Sequence, residues 1–142
     1  MKTVTLGKTG IVVSQLGFGA MYIPRISPQE SDKTILRGLE KGINYFDTAS
    51  AYEDSEEKLG RILSKKNRDE FTILSRSHSW KMSFDDFKKD FEQSFKRLKI
   101  EAIDFYGFHA VNQPPDLEKV MKEFLDFLKE EKSKGRIKHI AI

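Results

Sequence analysis

Short hydrophobic runs recur along the chain, and longer amphipathic stretches separate them. Runs that are rich in β-branched and aromatic side chains are typical of buried strands. Five such runs occupy residues 16–19, 43–47, 71–75, 103–108 and 137–142. Successive runs begin about 30 residues apart, which is the length of one βα unit. The pattern therefore predicts an α/β protein with five parallel strands that are connected by helices.

The stretches between the runs show the periodicity of amphipathic helices. Ser27, Pro28 and Glu30 form a capping-box sequence that predicts the start of the first helix, and Gly42 predicts its end. The fourth helix is predicted as one continuous element that ends before Gly135. The apolar faces of the four helices comprise Ile35, Leu36 and Leu39; Leu59, Ile62 and Leu63; Phe84, Phe87, Phe91, Phe95 and Leu98; and Leu117, Val120, Met121, Phe124, Leu125 and Leu128.

Two architectures fit five parallel strands. Residues 3–6 and 11–13 flank a glycine-containing turn and predict a β-hairpin before the first parallel strand. A flavodoxin-like open sheet needs about this many residues, whereas a complete (β/α)8 barrel typically needs roughly 250. The sequence stops inside its fifth strand at Ile142. That position favours a truncated barrel, with residues 1–142 as a single domain, but the pattern alone leaves both architectures open.

Composition narrows the function classes. The net charge of +3 is spread along 142 residues without a dense basic tract, which argues against nucleic-acid and membrane partners. No cysteine is present, so disulfides and thiolate chemistry are excluded and a cytoplasmic location is compatible. The polar first ten residues do not form a signal peptide. No metal site is expected.

Polar side chains lie near the carboxyl ends of several predicted strands, where functional residues of parallel α/β proteins gather. Asp47 ends the second run, Arg76 and His109 follow the third and fourth, and Tyr52 lies in the loop after Asp47. These side chains provide a carboxylate, a cation, an imidazole and a phenol. Such a set is suited to donating a proton to a carbonyl oxygen.

The segment Gly42-Ile43-Asn44-Tyr45-Phe46-Asp47-Thr48-Ala49, followed by Tyr52, resembles the signature of the aldo-keto reductases, in which an aspartate precedes a tyrosine by five residues. Residues 6–19, 104–109 and 135–140 resemble the family's opening hairpin with its first strand, its fourth strand with its histidine, and the segment leading into the fifth strand. The resemblance implies a TIM (β/α)8 barrel that is truncated after the hairpin, about four βα units and a fifth strand.

The resemblance also implies roles for individual residues. Tyr52 is expected to be the general acid that protonates a small carbonyl substrate as hydride arrives from NADPH, with NADH as the alternative. Asp47 is expected to hold the neighbouring cation, and His109 to orient the carbonyl or relay the proton. Ala20, Met21 and Asp47 are the expected contacts with the nicotinamide.

One departure from the family bears on activity, because Arg76 stands where the family has a lysine. Arginine keeps the charge but presents a planar fork. A reductase is the first interpretation, and Arg76 together with the truncation supports a second one, a non-catalytic binding or assembly element. A third interpretation, a flavodoxin-like or receiver-like signalling domain, fits the length better than the motifs. The truncated barrel is expected to be inactive alone and to self-associate through its unpaired strand edges.

Overall fold

A computed structural model of residues 1–142 contains a two-stranded antiparallel hairpin and a five-stranded parallel sheet. The hairpin comprises β1 (Thr3–Thr5) and β2 (Val12–Ser14); the sheet comprises β3 (Phe18–Gly19), β4 (Tyr45–Asp47), β5 (Thr72–Ser77), β6 (Ile103–Phe108) and β7 (Ile137–Ala141). The strands pair in chain order from β3 to β7. An open flavodoxin-like sheet reverses its strand order at a switch point, whereas a barrel adds each strand beside the last. The observed order is that of a barrel.

Helices connect the parallel strands. They are α1 (Pro28–Glu40), α2 (Ser55–Leu63), α3 (Phe84–Leu98), α4 (Pro114–Glu123) and α5 (Leu125–Ser133). The predicted capping box is confirmed, because Ser27 Oγ accepts the Glu30 amide at 3.2 Å and the Glu30 carboxylate accepts the Ser27 amide at 3.0 Å. After α1, Gly42 adopts a φ of +83° that glycine tolerates without strain. The local signals at both ends of this helix were therefore sufficient to predict it.

The hydrophobic core lies between the helices and one face of the sheet. Strand register aligns Phe46 with Ile73, and both side chains are fully buried. On the next strand Tyr106 lies 4.9 Å from Phe91 of α3, measured between ring centroids, in an edge-to-face arrangement. Four of the five apolar residues predicted for α3 are buried, and only Phe84 is partly exposed. The phenylalanine stripe is therefore core.

The fourth predicted helix is two helices, so the expectation of one continuous element was wrong. The chain breaks at Phe124, where φ is −121°. Val120, Phe124 and Leu128 form a buried row with a spacing of four residues, whereas Leu117 and Met121 form a neighbouring row that is exposed. The apolar band is two rows wide, and the sheet covers one of them. Hydrophobic periodicity in the sequence shows how wide the apolar face of a helix is, but it does not show how much of that face is covered by other parts of the protein.

Two strands have boundaries that differ from the predicted ones, and one of these differences concerns a site residue. The first parallel strand begins at Phe18, and Leu16 is exposed. The ladder of β5 continues beyond residue 75, because Arg76 pairs with Gly107 and Ser77 with Phe108. Arg76 is therefore a strand residue and does not follow the strand as expected. None of the helices has the length and apolar character of a membrane span.

Candidate active site

Asp47 and Arg76 form an ion pair on the face of the sheet that the helices leave uncovered. The register pairs Asp47 with Leu74, two residues before Arg76, so both charged side chains emerge on the same face. Arg76 Nη2 donates to Asp47 Oδ1 at 2.5 Å. The side chains are 22% and 35% exposed. Adjacent parallel strands thus bring together the predicted carboxylate and cation.

Tyr52 and His109 form a second pair at the carboxyl ends of the strands. The Tyr52 hydroxyl lies 3.3 Å from His109 Nε2, and the two rings meet edge to face with centroids 5.3 Å apart. The loop that carries Tyr52 is fastened to β5, because the Ser50 amide donates to the Arg76 carbonyl at 2.9 Å. The four residues that the sequence singled out therefore lie as two contacting pairs on neighbouring strands and loops.

Backbone contacts fix the position of His109. Its amide donates to the Ser77 carbonyl at 2.8 Å, which extends the β5–β6 ladder by one residue. Its own carbonyl accepts the indole N–H of Trp80 at 2.9 Å. Trp80 is buried, and its hydrogen bond fixes the backbone of His109.

Burial and neighbouring charges set the protonation of the site. Partial burial raises the pKa of Asp47, and the charge of Arg76 opposes that rise. Burial lowers the pKa of His109, and the nearby charges of Arg76, His78 and Lys81 act in the same direction. His109 is therefore a neutral imidazole at neutral pH, with one nitrogen that donates and one that accepts.

Two buried nitrogen atoms of the site have no hydrogen-bond partner, namely Arg76 Nε and His109 Nδ1. Most buried polar atoms in proteins are paired, so unpaired ones mark places where a polar ligand or a further residue is accommodated. The site is open, and none of the four surface cavities is lined by Asp47, Tyr52, Arg76 or His109. The structure has no group of three or more histidine or carboxylate side chains that could hold a metal ion.

The expected nicotinamide contacts differ in what they can offer. Ala20 is fully buried; its amide donates to the Asp47 carbonyl at 2.9 Å and its carbonyl accepts the Ser55 hydroxyl at 3.0 Å. Met21 is 47% exposed. The backbone of Ala20 thus holds the end of β3 against β4, and its side chain is not accessible to a ligand. The side chain of Met21 is accessible. His78, which directly follows β5 and was not among the predicted site residues, has its ring 5.8 Å from that of His109, measured between centroids.

Comparisons with known proteins bear on the family to which the chain belongs. The sequence model of the Aldo/keto reductase family matches residues 15–142. A probable aldo-keto reductase of Glycine max is 30% identical across 100% of this chain and 44% of its own length. A putative aldo-keto reductase from Pseudomonas aeruginosa superimposes with a TM-score of 0.82 at 28% identity, over 99% of this chain and 58% of that one.

The fold match extends to a more distant structure. An aldo-keto reductase from Klebsiella pneumoniae, solved in complex with NADPH, superimposes with a TM-score of 0.81 at 24% identity, over 99% of this chain and 48% of that one. The chain spans about half the length of the relatives that it matches. The family match over most of the sequence, the sequential parallel strands and the placement of the signature residues lead to one conclusion: the chain belongs to the aldo/keto reductase family.

Proposed function

We propose that this rim of the sheet reduces an aldehyde or ketone with a hydride from a nicotinamide cofactor, and that Tyr52 donates the proton. The observation that carries the proposal is the contact between the Tyr52 hydroxyl and His109 Nε2, at 3.3 Å, beside the Asp47–Arg76 ion pair. An acid, an imidazole and a fixed cation at one rim can together protonate a carbonyl oxygen and stabilise the charge that develops on it.

Each group has a separate part in the proposed reaction. The bound cofactor supplies the hydride to the carbonyl carbon. Tyr52 donates its hydroxyl proton to the carbonyl oxygen, and neutral His109 orients that oxygen or relays the proton. Arg76 remains charged at all relevant pH values and stabilises negative charge that develops on oxygen during hydride transfer. Asp47 holds Arg76 in place.

The nicotinamide would lie against Met21 and Asp47, with the end of β3 at Ala20 forming the floor. Two unpaired buried nitrogens, on Arg76 and His109, suit a polar ligand at this position. NADPH is the proposed cofactor, with NADH as the alternative, and a small carbonyl compound is the proposed substrate. Family membership supports this assignment. By the same resemblance, the residues that bind the rest of the cofactor would follow β7.

Isotope transfer tests the reaction directly. The chain, with the remaining barrel strands supplied in the same polypeptide, would be incubated with NADPH deuterated at the transferable position and a panel of aldehydes and ketones. We expect deuterium on the carbinol carbon of a product alcohol, detected by mass spectrometry. A folded, cofactor-bound barrel that transfers no deuterium to any carbonyl would contradict the proposal.

A non-catalytic assembly element is the second candidate, and the arginine at position 76 favours it. By themselves, the 142 residues leave the outer edges of β3 and β7 unpaired in the sheet. Such edges promote association, and identical chains commonly assemble with two-fold symmetry. We expect the isolated chain to self-associate and to bind NADPH weakly. Light scattering after size exclusion measures the association, and a fluorescence titration measures the affinity for the cofactor. A stable monomer with micromolar affinity would contradict it.

A further inference from the structure

Beneath the proposed active site, one carboxylate of α3 accepts hydrogen bonds from three serine hydroxyls. Asp90 Oδ2 accepts from Ser50 at 2.5 Å, from Ser77 at 2.6 Å and from Ser79 at 3.3 Å. Its other oxygen accepts from Arg97 at 3.3 Å. The Asp90 side chain is 12% exposed. Both oxygens of a largely buried carboxylate therefore accept hydrogen bonds from within the protein.

The three serines belong to the segments that carry the site. Ser50 precedes Tyr52 by two residues in the β4–α2 loop, and Ser77 directly follows Arg76 in β5. Ser77 also accepts the His109 amide through its carbonyl. Ser79 lies beside Trp80, whose indole holds the His109 carbonyl. One carboxylate thus ties together the segments that carry the acid, the cation and the imidazole, although it contacts none of those side chains.

A second carboxylate continues the arrangement along β5. Arg97 Nη1 donates to Glu56 Oε2 at 2.9 Å, and Glu56 Oε1 accepts the Ser75 hydroxyl at 2.6 Å. Arg76 therefore lies between two serines whose hydroxyls are both held from the helix side. The close approach of α2 and α3 that this requires depends on Gly60, where a Cβ atom would lie 2.2 Å from the Arg97 carbonyl oxygen.

We propose that Asp90 is a positioning residue, which sets the Tyr52–His109 contact and the placement of Arg76 by holding Ser50, Ser77 and Ser79 in a common frame. The inference rests on the proposed function for the importance of that contact, but the positioning itself is a property of the fold. Charge-assisted hydrogen bonds to a carboxylate are stronger than neutral ones, which suits it to holding two loops at once. The sequence gives a weak signal for it, namely an acidic residue directly before Phe91 on the apolar stripe of α3.

Asp90→Asn tests the proposal in the full 142-residue chain, because it removes the charge and keeps the size of the side chain. Glu92→Gln is the matched control: Glu92 lies on the same helix and pairs with Arg136, away from the serines. The readouts are the nuclear Overhauser contact between the Tyr52 and His109 rings and the pH midpoint of His109. In Asp90→Asn we expect loss of that contact and, because a displaced imidazole is less buried, a rise of the His109 midpoint toward the ordinary histidine value of about 6.5. Loss of the Asp90 charge alone would lower the midpoint, so a rise indicates displacement. In Glu92→Gln we expect neither.

A merely structural role would lower the unfolding midpoint of Asp90→Asn without moving either readout in the folded protein, and that result would overturn the proposal. If Asp90→Asn does not fold, Ser50→Ala removes only the hydroxyl that ties the Tyr52 loop. Ser133→Ala is its control, since that hydroxyl donates to the Glu130 carbonyl on an exposed helix end. An unchanged ring contact in folded Ser50→Ala would likewise overturn the proposal.

The same measurements separate this inference from the proposed function. Loss of the ring contact in Asp90→Asn supports the positioning role even if Tyr52 proves unnecessary for hydride transfer, which would refute only the function. An intact ring contact in Asp90→Asn refutes the positioning role and leaves the assignment of Tyr52 untouched.

Discussion

Each end of the sheet carries an aspartate–arginine pair, and the two pairs differ in how completely they are satisfied. At the amino end of β6, Asp104 is 3% exposed and receives Arg68 at 2.5 Å, the Ile73 amide at 2.8 Å and Lys138 at 2.8 Å. At the other end, Asp47 has one ion-pair contact, with Arg76, and two nitrogens of that site have no partner.

We infer from this difference that the amino-end pair is structural and that the carboxyl-end pair belongs to the proposed active site. The Asp104 carboxylate is buried and bound by three donors of the protein, and it joins β5, β6 and β7 at the end where barrels carry stabilising residues. The Asp47–Arg76 pair is partly exposed and keeps an unpaired donor at the end where barrel active sites lie. The Asp104 contacts therefore join three strands at the amino end, whereas the carboxyl end keeps polar atoms without a partner.

Replacing Asp104 with Asn should cause the largest loss of stability. Removing one charge leaves Arg68 and Lys138 near a neutral amide, and breaking a buried pair typically costs about 3 kcal/mol. Urea unfolding should show a lower midpoint with an unchanged slope. A loss of unfolding free energy below about 1 kcal/mol would be typical of an exposed ion pair and would contradict the structural role inferred for Asp104.

Asp47→Asn is the matched control at the other end. Its ion pair is partly exposed, and such pairs contribute at most about 1 kcal/mol. We expect a small change in the unfolding midpoint. Equal costs for Asp47→Asn and Asp104→Asn would mean that both pairs are structural.

Arg76→Lys should change the rate of hydride transfer less than removal of the cation would. Lysine keeps the charge and restores the residue type expected from the family resemblance, so we expect a rate within about tenfold of the parent, or above it. Single-turnover kinetics in the completed barrel measure this. Complete inactivation would show that the planar fork of Arg76 has a role that an ammonium group cannot replace.

His109 should titrate below the ordinary histidine midpoint of about 6.5, because burial and the nearby charges of Arg76 and Lys81 disfavour its protonation. The folded pKa is lower than the unfolded one, so stability is highest above the unfolded value and declines as the pH falls from there through the folded midpoint. Nuclear magnetic resonance of the imidazole protons gives the midpoint. A value above 6.5 would indicate a charged imidazole at the site.

The parts of the fold that the sequence predicted depend on local interactions. The spacing of strand runs and the Ser27 capping box are properties of neighbouring residues, and both agree with the structure. The break at Phe124 and the gathering of serines by Asp90 depend on which surfaces meet in three dimensions. Single-sequence periodicity contains no information on those contacts. Arg76 was found from its place directly after the third predicted strand run, although the strand itself ends at Ser77 and not at residue 75.

The most direct test of the central claim is single-turnover hydride transfer by Tyr52→Phe in the completed barrel. Tyr45→Phe is the control, because Tyr45 is a half-buried tyrosine of β4 whose hydroxyl is not part of the Tyr52–His109 pair. Loss of the general acid should slow transfer by about 10²-fold or more and leave cofactor affinity nearly unchanged, with Tyr45→Phe close to the parent. An unaltered rate in Tyr52→Phe would show that another group gives the proton and would contradict the account.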